Sequence, residues 1–257
     1  MILAIDMGNS NIKIGIVKDK DHVIEERINT VYNSTSFEYA EHIENFFSHY
    51  GVRKEAFSGA IMSSVVPPLT AVLGAAVNKV LGVRPILVTN RLKTTVSFPE
   101  PVGADLVVGA EAAYTLYQSP CIIVNMGTAT TITVVDKDGV FRGGVILPGM
   151  KTALNALSQN AATLPAISLG KPGSTISFDT DECMRSGIIY GSAGQIDAIV
   201  ARMEAELGYE CKIIATGGMA RFCVPYCSRS VKLLSSLLMI GLMRIYEENT
   251  ASGKSET

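Results

Sequence analysis

Short blocks of alternating hydrophobic and polar residues open the chain. Residues 2–6 (ILAID) are an apolar run that ends in a carboxylate, and residues 11–17 (NIKIGIV) alternate with a period of two. Residues 22–31 continue as a third extended run. Residues 6–11 (DMGNSN) are rich in turn formers. The pattern predicts three successive strands, the first two joined by a tight turn, with the isoleucines of the second strand on one face.

Helical and extended patterns alternate over the next part of the chain. Residues 36–50 repeat apolar residues at helical spacing. Their apolar stripe consists of Phe37, Ala40, Ile43, Phe46 and Phe47. The elements predicted next are a strand over 59–66, a helix over 69–81 preceded by Pro67-Pro68, a strand over 84–89 and a helix over 103–117.

The same order of patterns begins again near residue 121. The predicted elements are strands over 121–127, 128–136 and 139–147, helices over about 149–160 and 180–207, a strand over 211–216, a short helix after Gly217-Gly218 and a last helix over about 231–248. The turns correspond as well, because residues 6–9 (DMGN) and 125–128 (NMGT) each end a first strand. An accidental resemblance of two turns is the alternative.

The repeated pattern predicts an α/β protein made of two similar halves. We expect a first half over residues 1–117 and a second over 118–257, with mixed sheets flanked by helices. The last helix is free to pack back on the first half. A ligand site is expected in a cleft between the halves.

The composition of the chain limits the classes of function that we expect for it. Of the 257 residues, 47% are hydrophobic and 18% charged, and the net charge is −2 without a run of Lys or Arg, so nucleic acid is not expected as the main partner. The uncharged runs over 56–78 and 112–135 are interrupted by prolines or polar residues, so no membrane span is predicted. Five scattered cysteines are typical of reduced thiols, and we predict a cytoplasmic protein.

Two turns have the chemistry of phosphate loops. In DMGNSN, Asp6 could bind Mg²⁺ while backbone N–H groups face phosphate oxygens, and Lys13 could point to the same place. In GTATT, residues 127–131, the hydroxyls of Thr128 and Thr130 could donate to phosphate. An ordinary hairpin turn that binds no ligand would need the same glycines and threonines. Each motif alone is therefore consistent with either a phosphate loop or an ordinary turn.

Two further candidate functional sites lie where predicted helices begin. Asp105 lies in the first turn of a predicted helix, where a carboxylate could accept the proton of an attacking hydroxyl as general base. The helix dipole alone also favours an acid there. Gly217 and Gly218 end a predicted strand and offer side-chain-free backbone to a base or ribose, although a sharp turn with a helix cap explains them equally.

The order of the motifs resembles the superfamily of acetate kinase, sugar kinases, actin and heat-shock chaperones, and within it, closely, the type III pantothenate kinases. The resemblance covers residues 2 to about 248. The matching segments are DMGNSN (6–11), SSVVPP (63–68), VGAD (102–105), MGTATT (126–131), GGVILPG (143–149), AATLP (161–165), SGIIYG (186–191) and ATGGMA (215–220).

The resemblance implies ATP-dependent phosphorylation of pantothenate to 4'-phosphopantothenate, the first step of coenzyme A biosynthesis. It implies a homodimer that uses ATP, Mg²⁺ and a monovalent cation, K⁺ or NH₄⁺. The implied base is Asp105, and Asp6 would hold Mg²⁺. The implied nucleotide-binding residues are Asp6, Gly8, Asn9, Ser10, Asn11, Lys13, Gly127, Thr128, Thr130, Gly217 and Gly218. The implied pantothenate-binding residues are Phe98, Gly103, Ala104, Asp105, Leu106 and Thr180.

The chain departs from the family pattern in three places. Leu106 stands where the family has an arginine, Asn125 where it has the aspartate implicated in the monovalent cation site, and residues 177–179 (SFD) where Gly-Lys-Asn is common. A lost charged hydrogen bond costs roughly 1.5–3 kcal/mol. We therefore expect a weakened pantothenate kinase, a kinase for another small alcohol, or a non-catalytic nucleotide- or metabolite-binding relative. Arg142, Arg185 and Lys13 stay open as substitutes for the arginine.

Overall fold

The chain forms two compact units in a computed structural model, which describes residues 1–251. The first unit consists of Met1–Ala112 together with the C-terminal segment from Ser236, and the second of Ala113–Ser235. Within the described part of the chain, no helix combines the length and apolarity that a membrane crossing needs.

The first unit is built on a mixed five-stranded sheet. Its strands are β1 (Ile2–Met7), β2 (Asn11–Asp19), β3 (His22–Asn29), β4 (Gly59–Ser64) and β5 (Ile86–Leu87), in the order β3-β2-β1-β4-β5. The first three strands are antiparallel, whereas β4 runs parallel to β1, and β5 to β4. The helices α1 (Ser36–His49) and α2 (Pro67–Leu81) lie between strands, and α3 (Ala104–Tyr117) follows β5.

The second unit repeats that order. Its strands are β6 (Cys121–Met126), β7 (Ala129–Val135), β8 (Phe141–Pro148), β9 (Lys212–Thr216) and β10 (Val231–Leu233), in the order β10-β9-β6-β7-β8. The helices of this part are α4 (Met150–Asn160), α5 (Thr180–Leu207) and the short α6 (Ala220–Cys223). The final helix, α7 (Leu237–Thr250), belongs to the first unit. The prediction of two similar halves with mixed sheets is confirmed.

Both faces of the first sheet are covered. Ile12, Ile14 and Ile16 share one face, as predicted, and pack with α1 and α2. The opposite face packs against α3 and α7, where Gly15 lies so close to Met239 that a Cβ would come within 2.6 Å of its Sδ. The sheet of the second unit packs one face on α5 in the same way. Successive residues of a strand therefore point to opposite faces of the sheet, which have different surroundings. This alternation determines on which face each site residue lies.

The predicted apolar stripe of α1 is wrong at Phe37. Its side chain is 69% exposed, while Tyr39 is only 1% exposed and takes the core position. The reason is helical geometry. Tyr39 is four residues from the buried Ile43, about 40° around the helix, whereas Phe37 is six residues away, about 120°.

The predicted start of the last helix, near residue 231, is also wrong. Val231–Leu233 forms β10, which pairs in parallel with β9, and the Leu234 N–H donates to the Ala215 carbonyl at 2.9 Å. α7 begins only at Leu237. The short apolar run fits either element, and the unpaired edge of β9 selects the strand.

Candidate active site

Asp6 stands at the centre of a polar row across the first sheet. It ends β1 and lies opposite Lys13 on β2 and Ser63 on β4. The Ser63 Oγ donates to Asp6 Oδ1 at 2.6 Å. Burial raises the pKa of Asp6, against the opposing effects of the Ser63 hydrogen bond and the Lys13 charge. Because paired residues share a face, the Lys13 side chain lies on the same side of the sheet as Asp6.

The loop after Asp6 is a closed turn. The Gly8 N–H donates to the Asn11 carbonyl at 2.9 Å, and the Tyr32 hydroxyl lies 3.5 Å from Asn9 Oδ1. Thr30, the residue after β3, contacts the loop twice. Its N–H donates to the Ser10 carbonyl at 3.1 Å, and its hydroxyl to the Gly8 carbonyl at 2.6 Å.

Asp105 lies in the first turn of α3, in the same unit as Asp6. Its pKa is raised, first by burial and then by the negative charge of Asp6, while its own N–H and that of Leu106 act in the opposite direction. A Cβ on Gly103 would lie 2.8 Å from Asp105 Oδ1, so the glycine leaves room for the carboxylate. Two carboxylates that repel each other therefore sit in this unit.

The segment before α3 is fixed by a glutamate that the sequence reasoning missed. Glu111, fully buried in α3, accepts from the N–H groups of Thr95 and Val96 at 3.1 and 3.0 Å. Burial raises its pKa. Thr95 Oγ1 also donates to Glu248 of α7 at 2.8 Å. This segment leads to Phe98, which packs on the core between the sheet, α3 and α7. The available signal was an acid in the middle of the otherwise largely apolar stretch 106–117.

Asn125 occupies in the second sheet the position that Asp6 has in the first. It lies opposite Thr131 on β7 and Thr216 on β9. Among residues 1–251, the buried Oγ1 of Thr131 lacks a hydrogen-bond partner. Thr130 pairs with Met126, faces the other side of the sheet and is 4% exposed. The two neighbouring threonines are therefore in different environments, and Thr131 is the one beside Asn125.

The second loop is packed against the Gly-Gly turn. Gly217 has a φ of 94°, and a Cβ there would lie 2.5–2.7 Å from backbone atoms of Met126. The Met219 N–H donates to the Met126 carbonyl at 3.2 Å. Only glycine combines that backbone conformation with such an approach. The Gly217-Gly218 turn and the Gly127 loop, predicted separately, are therefore neighbours.

Thr180 is the exposed first residue of α5. Asp179 caps the helix by accepting from the Glu182 N–H at 2.8 Å. Glu182 accepts from the Gly173 N–H at 2.6 Å and the Ser174 N–H at 3.1 Å, so it holds the segment that precedes the helix.

The three candidate substitutes for the family arginine have different surroundings. Arg142 lies 3.8 Å from Asp136, and Arg185 pairs with Glu182 at 2.7 Å. Lys13 is in the same unit as Leu106 and opposite Asp6. It is therefore the candidate that shares a compact unit with the position it would replace.

Comparison with known proteins decides the family. A family model described as type III pantothenate kinase matches residues 2–202. The chain belongs to the type III pantothenate kinase family. The member from Halalkalibacterium halodurans is 37% identical over 254 residues, covering 97% of this chain and 100% of that protein. The member from Exiguobacterium sp. is 40% identical over 253 residues, covering 97% and 99%.

The fold is that of the actin-like sugar kinases. A ROK family glucokinase from Streptomyces griseus, solved with glucose and AMPPNP, aligns over 94% of this chain and 97% of its own, with a TM-score of 0.52 and 12% identity. The predicted fold class and the predicted membership of the pantothenate kinase family are both confirmed. The chain is thus a family kinase whose sequence carries Leu106 and Asn125.

Proposed function

We propose that the protein transfers the γ-phosphoryl group of ATP to the primary hydroxyl of pantothenate. The product would be 4'-phosphopantothenate, on the route to coenzyme A. The supporting observation is the pair Asp6 and Asp105, whose charges interact within one unit at a strand end and a helix start. Phosphoryl transfer needs positioning and charge neutralisation more than covalent chemistry, and this pair supplies a cation ligand and a base.

Asp105 is the proposed general base. Its raised pKa makes the carboxylate a better proton acceptor than an ordinary aspartate. The substrate hydroxyl would donate to it, beside the space that Gly103 leaves open. Phe98, Ala104 and Leu106 are the proposed neighbours of the substrate. Leu106 offers no charge to the pantothenate carboxylate.

Asp6 is the proposed ligand for Mg²⁺. Residues 1–251 contain no group of three or more side chains arranged to hold a metal ion alone. That fits Mg²⁺, which commonly uses one or two carboxylates together with substrate phosphates and water. Bound there, Mg²⁺ would neutralise charge on the phosphates. Lys13 and the N–H groups of residues 9–11 would contact the same phosphate chain, while the Gly8 N–H already donates to the Asn11 carbonyl.

The second unit carries two further nucleotide-binding candidates. Thr128 is exposed, whereas Thr130 is buried beside Met126, so we assign the phosphate contact to Thr128. The turn at Gly217 and Gly218 would accept the base or ribose.

A monovalent cation would use Asn125. Its amide oxygen and the orphaned hydroxyl of Thr131 face the same side of the sheet and are suitable neutral ligands for K⁺ or NH₄⁺. Without the family's carboxylate, the affinity should be lower than in a member with aspartate there.

We also propose a homodimer that involves the second unit. Ile146 and Ile176 are 75% and 89% exposed, and Phe178 is fully exposed. Large apolar residues held in solvent are suited to a partner surface. Phe178→Ser should shift the mass in light scattering from dimer to monomer, and an unchanged mass would contradict this assignment.

The decisive experiment is an assay of purified protein with ATP, Mg²⁺, K⁺ and pantothenate. We expect phosphopantothenate well above a no-enzyme control. Absence of product would reject the proposed reaction. A panel of small primary alcohols with and without a carboxylate would show whether Leu106 has changed the substrate.

A non-catalytic nucleotide- or metabolite-binding role is the second candidate, favoured by Leu106 and Asn125. The double variant Leu106→Arg with Asn125→Asp separates the two. A large gain in turnover over an inactive parent would indicate a repurposed site. Brisk turnover by the unmodified protein would exclude the non-catalytic role.

A further inference from the structure

Backbone carbonyls in the first phosphate loop are held from behind by a single residue. Thr30 donates its hydroxyl to the Gly8 carbonyl at 2.6 Å and its N–H to the Ser10 carbonyl at 3.1 Å. Thr30 is the residue directly after β3. It therefore contacts the side of the loop from which the carbonyls project.

The second loop has a related arrangement, in which two residues hold one carbonyl. The Thr128 carbonyl accepts the Thr152 hydroxyl at 2.7 Å and the Gly149 N–H at 3.1 Å. Gly149 directly follows β8, the counterpart of β3, and Thr152 lies in the first turn of α4. In both units, a threonine just beyond the third strand of the sheet holds a loop carbonyl.

The planar geometry of the peptide bond determines where the neighbouring N–H groups point. In a trans peptide the C=O of one residue and the N–H of the next point in opposite directions. Residues 1–251 have no cis peptide bond. With the Gly8 carbonyl held by Thr30, the Asn9 N–H must point away from Thr30. With the Thr128 carbonyl held by Thr152, the Ala129 N–H must point away from Thr152.

This orientation matters for an anionic ligand. Backbone N–H groups attract phosphate oxygens, and carbonyl oxygens repel them. A peptide whose carbonyl is held from one side presents its N–H donor on the other side. A loop that could rotate its peptides would lose that preference.

Both threonines are themselves anchored. The carbonyl of Val31, next to Thr30, accepts the hydroxyl of Tyr39, a core residue of α1, at 3.2 Å. Thr152 lies between the buried residues Met150 and Leu154 of α4. The loops are thus connected to the cores of their units through these two side chains.

We propose that Thr30 and Thr152 are positioning residues, each of which orients a backbone amide of its own loop for contact with phosphate oxygens. The proposal rests on the ATP binding of the proposed function, not on the identity of the alcohol. Neither residue contacts the nucleotide in this scheme. Each acts through the peptide bond that it holds.

The test compares Thr30→Val and Thr152→Val with Thr30→Ser and Thr152→Ser. Valine has nearly the shape of threonine but cannot donate, whereas serine keeps the donor. Thr250→Val is the matched control, because the Thr250 hydroxyl donates to the Tyr246 carbonyl at 2.8 Å in α7. The affinity for MgADP is measured by calorimetry, together with the KM for ATP, the KM for pantothenate, kcat and Tm.

We expect each valine variant to weaken MgADP binding and raise the KM for ATP about 3- to 10-fold, the effect of one lost hydrogen bond. The serine variants should return within about twofold of the parent, since they keep that bond. The KM for pantothenate and the Thr250→Val control should not change. Valine variants that lose Tm but keep the parental MgADP affinity would show a merely structural role and overturn the proposal.

Failure of the proposed function is a separate outcome. A parent protein that binds MgADP but does not phosphorylate pantothenate would contradict the proposed substrate, and the two threonines would still be judged by MgADP affinity. A parent that does not bind MgADP would overturn both proposals.

Discussion

The β1–β2 and β6–β7 hairpins have the same strand arrangement, but they differ in charge at corresponding positions. Asp6 lies opposite Lys13 and Ser63, and in the second unit Asn125 lies opposite Thr131 and Thr216. The loops have a similar construction. Residues 8–11 lie between the paired Met7 and Ile12, and residues 127–129 between Met126 and Thr130. Both units therefore have a short backbone loop between the two paired strands. The ionisable groups beside these loops are concentrated in the first unit.

The helices that end the two halves show the same contrast. α3 and α7 each follow the last strand of a repeat. The second residue of α3 is Asp105, and the second residue of α7 is Leu238, a buried core residue. The uncharged start of α7 packs in the core of the first unit. Burial raises the pKa values of both Asp6 and Asp105, and acids perturbed in this way are candidates for a functional role.

Two glutamates extend the comparison to the segments that precede α3 and α5. Glu111 and Glu182 each accept from two successive backbone N–H groups. Burial raises the pKa of Glu111. The Ser186 hydroxyl and the N–H groups of residues 173 and 174, together with Arg185, lower the pKa of Glu182 to about 2. The backbone hydrogen bonds lower the pKa of both glutamates, and burial outweighs them only at Glu111.

The largest effect is expected from Asp105→Asn. The variant keeps the size of the side chain but cannot accept the hydroxyl proton, so kcat should fall on the order of 10²–10⁴-fold. MgADP affinity, measured in parallel, should stay close to the parent. A kcat within tenfold of the parent would remove Asp105 from the role of base.

Glu111→Ala should be the most destabilising substitution. It leaves the N–H groups of Thr95 and Val96 without their acceptor, which costs roughly 3 kcal/mol in the free energy of unfolding measured with urea. Glu111→Gln keeps an acceptor oxygen and serves as the matched variant with a smaller loss. Equal stabilities of the parent and the alanine variant would contradict the bracing role.

Asn125→Asp would make the second hairpin more like the first. We expect the half-saturating concentration of K⁺ in the kinase assay to fall about tenfold, the effect of one added charge at a partly exposed oxygen site. Choline chloride at matched ionic strength controls for salt. An unchanged K⁺ dependence would show that the cation does not use residue 125.

Glu182→Gln should have the smallest effect on thermal stability. The direction in which this effect changes with pH identifies its cause. Because its pKa is lowered from 4.5 to about 2, the stabilisation by Glu182 is complete above about pH 4.5 and is lost as the pH falls toward 2. The Tm difference between parent and variant should be constant at higher pH and shrink across that window. A difference that grows on acidification would disprove the assignment.

The sequence predicts the framework because its signals are local. The alternation of β2, the prolines before α2 and the paired turns at Gly8 and Gly127 each lie within one element, and the structure has all of them. Phe37 was misplaced because its spacing fits a helix but not the buried side of this one. Residues 231–236 were misassigned because the edge of β9 is not visible in the segment itself.

The supports of the candidate site were not predictable in the same way. Ser63 meets Asp6, Thr30 meets Gly8 and Glu111 meets Val96 only after the chain has folded. No spacing rule connects such partners. Motifs therefore identify the groups that would contact a ligand, and the structure identifies the side chains that fix their direction.

The position of α7 in the first unit has a consequence for synthesis on the ribosome. Leu238, Met239 and Leu242 cover one face of the first sheet, yet they are translated only after the whole of residues 113–235. Residues 113–235 form a contiguous unit that can complete its core while the first sheet still lacks this cover. A nascent chain stalled before residue 237 should expose the apolar face formed by Ala4, Val17 and Ile61 to chaperones. Release of α7 would be the step that completes the amino-terminal unit.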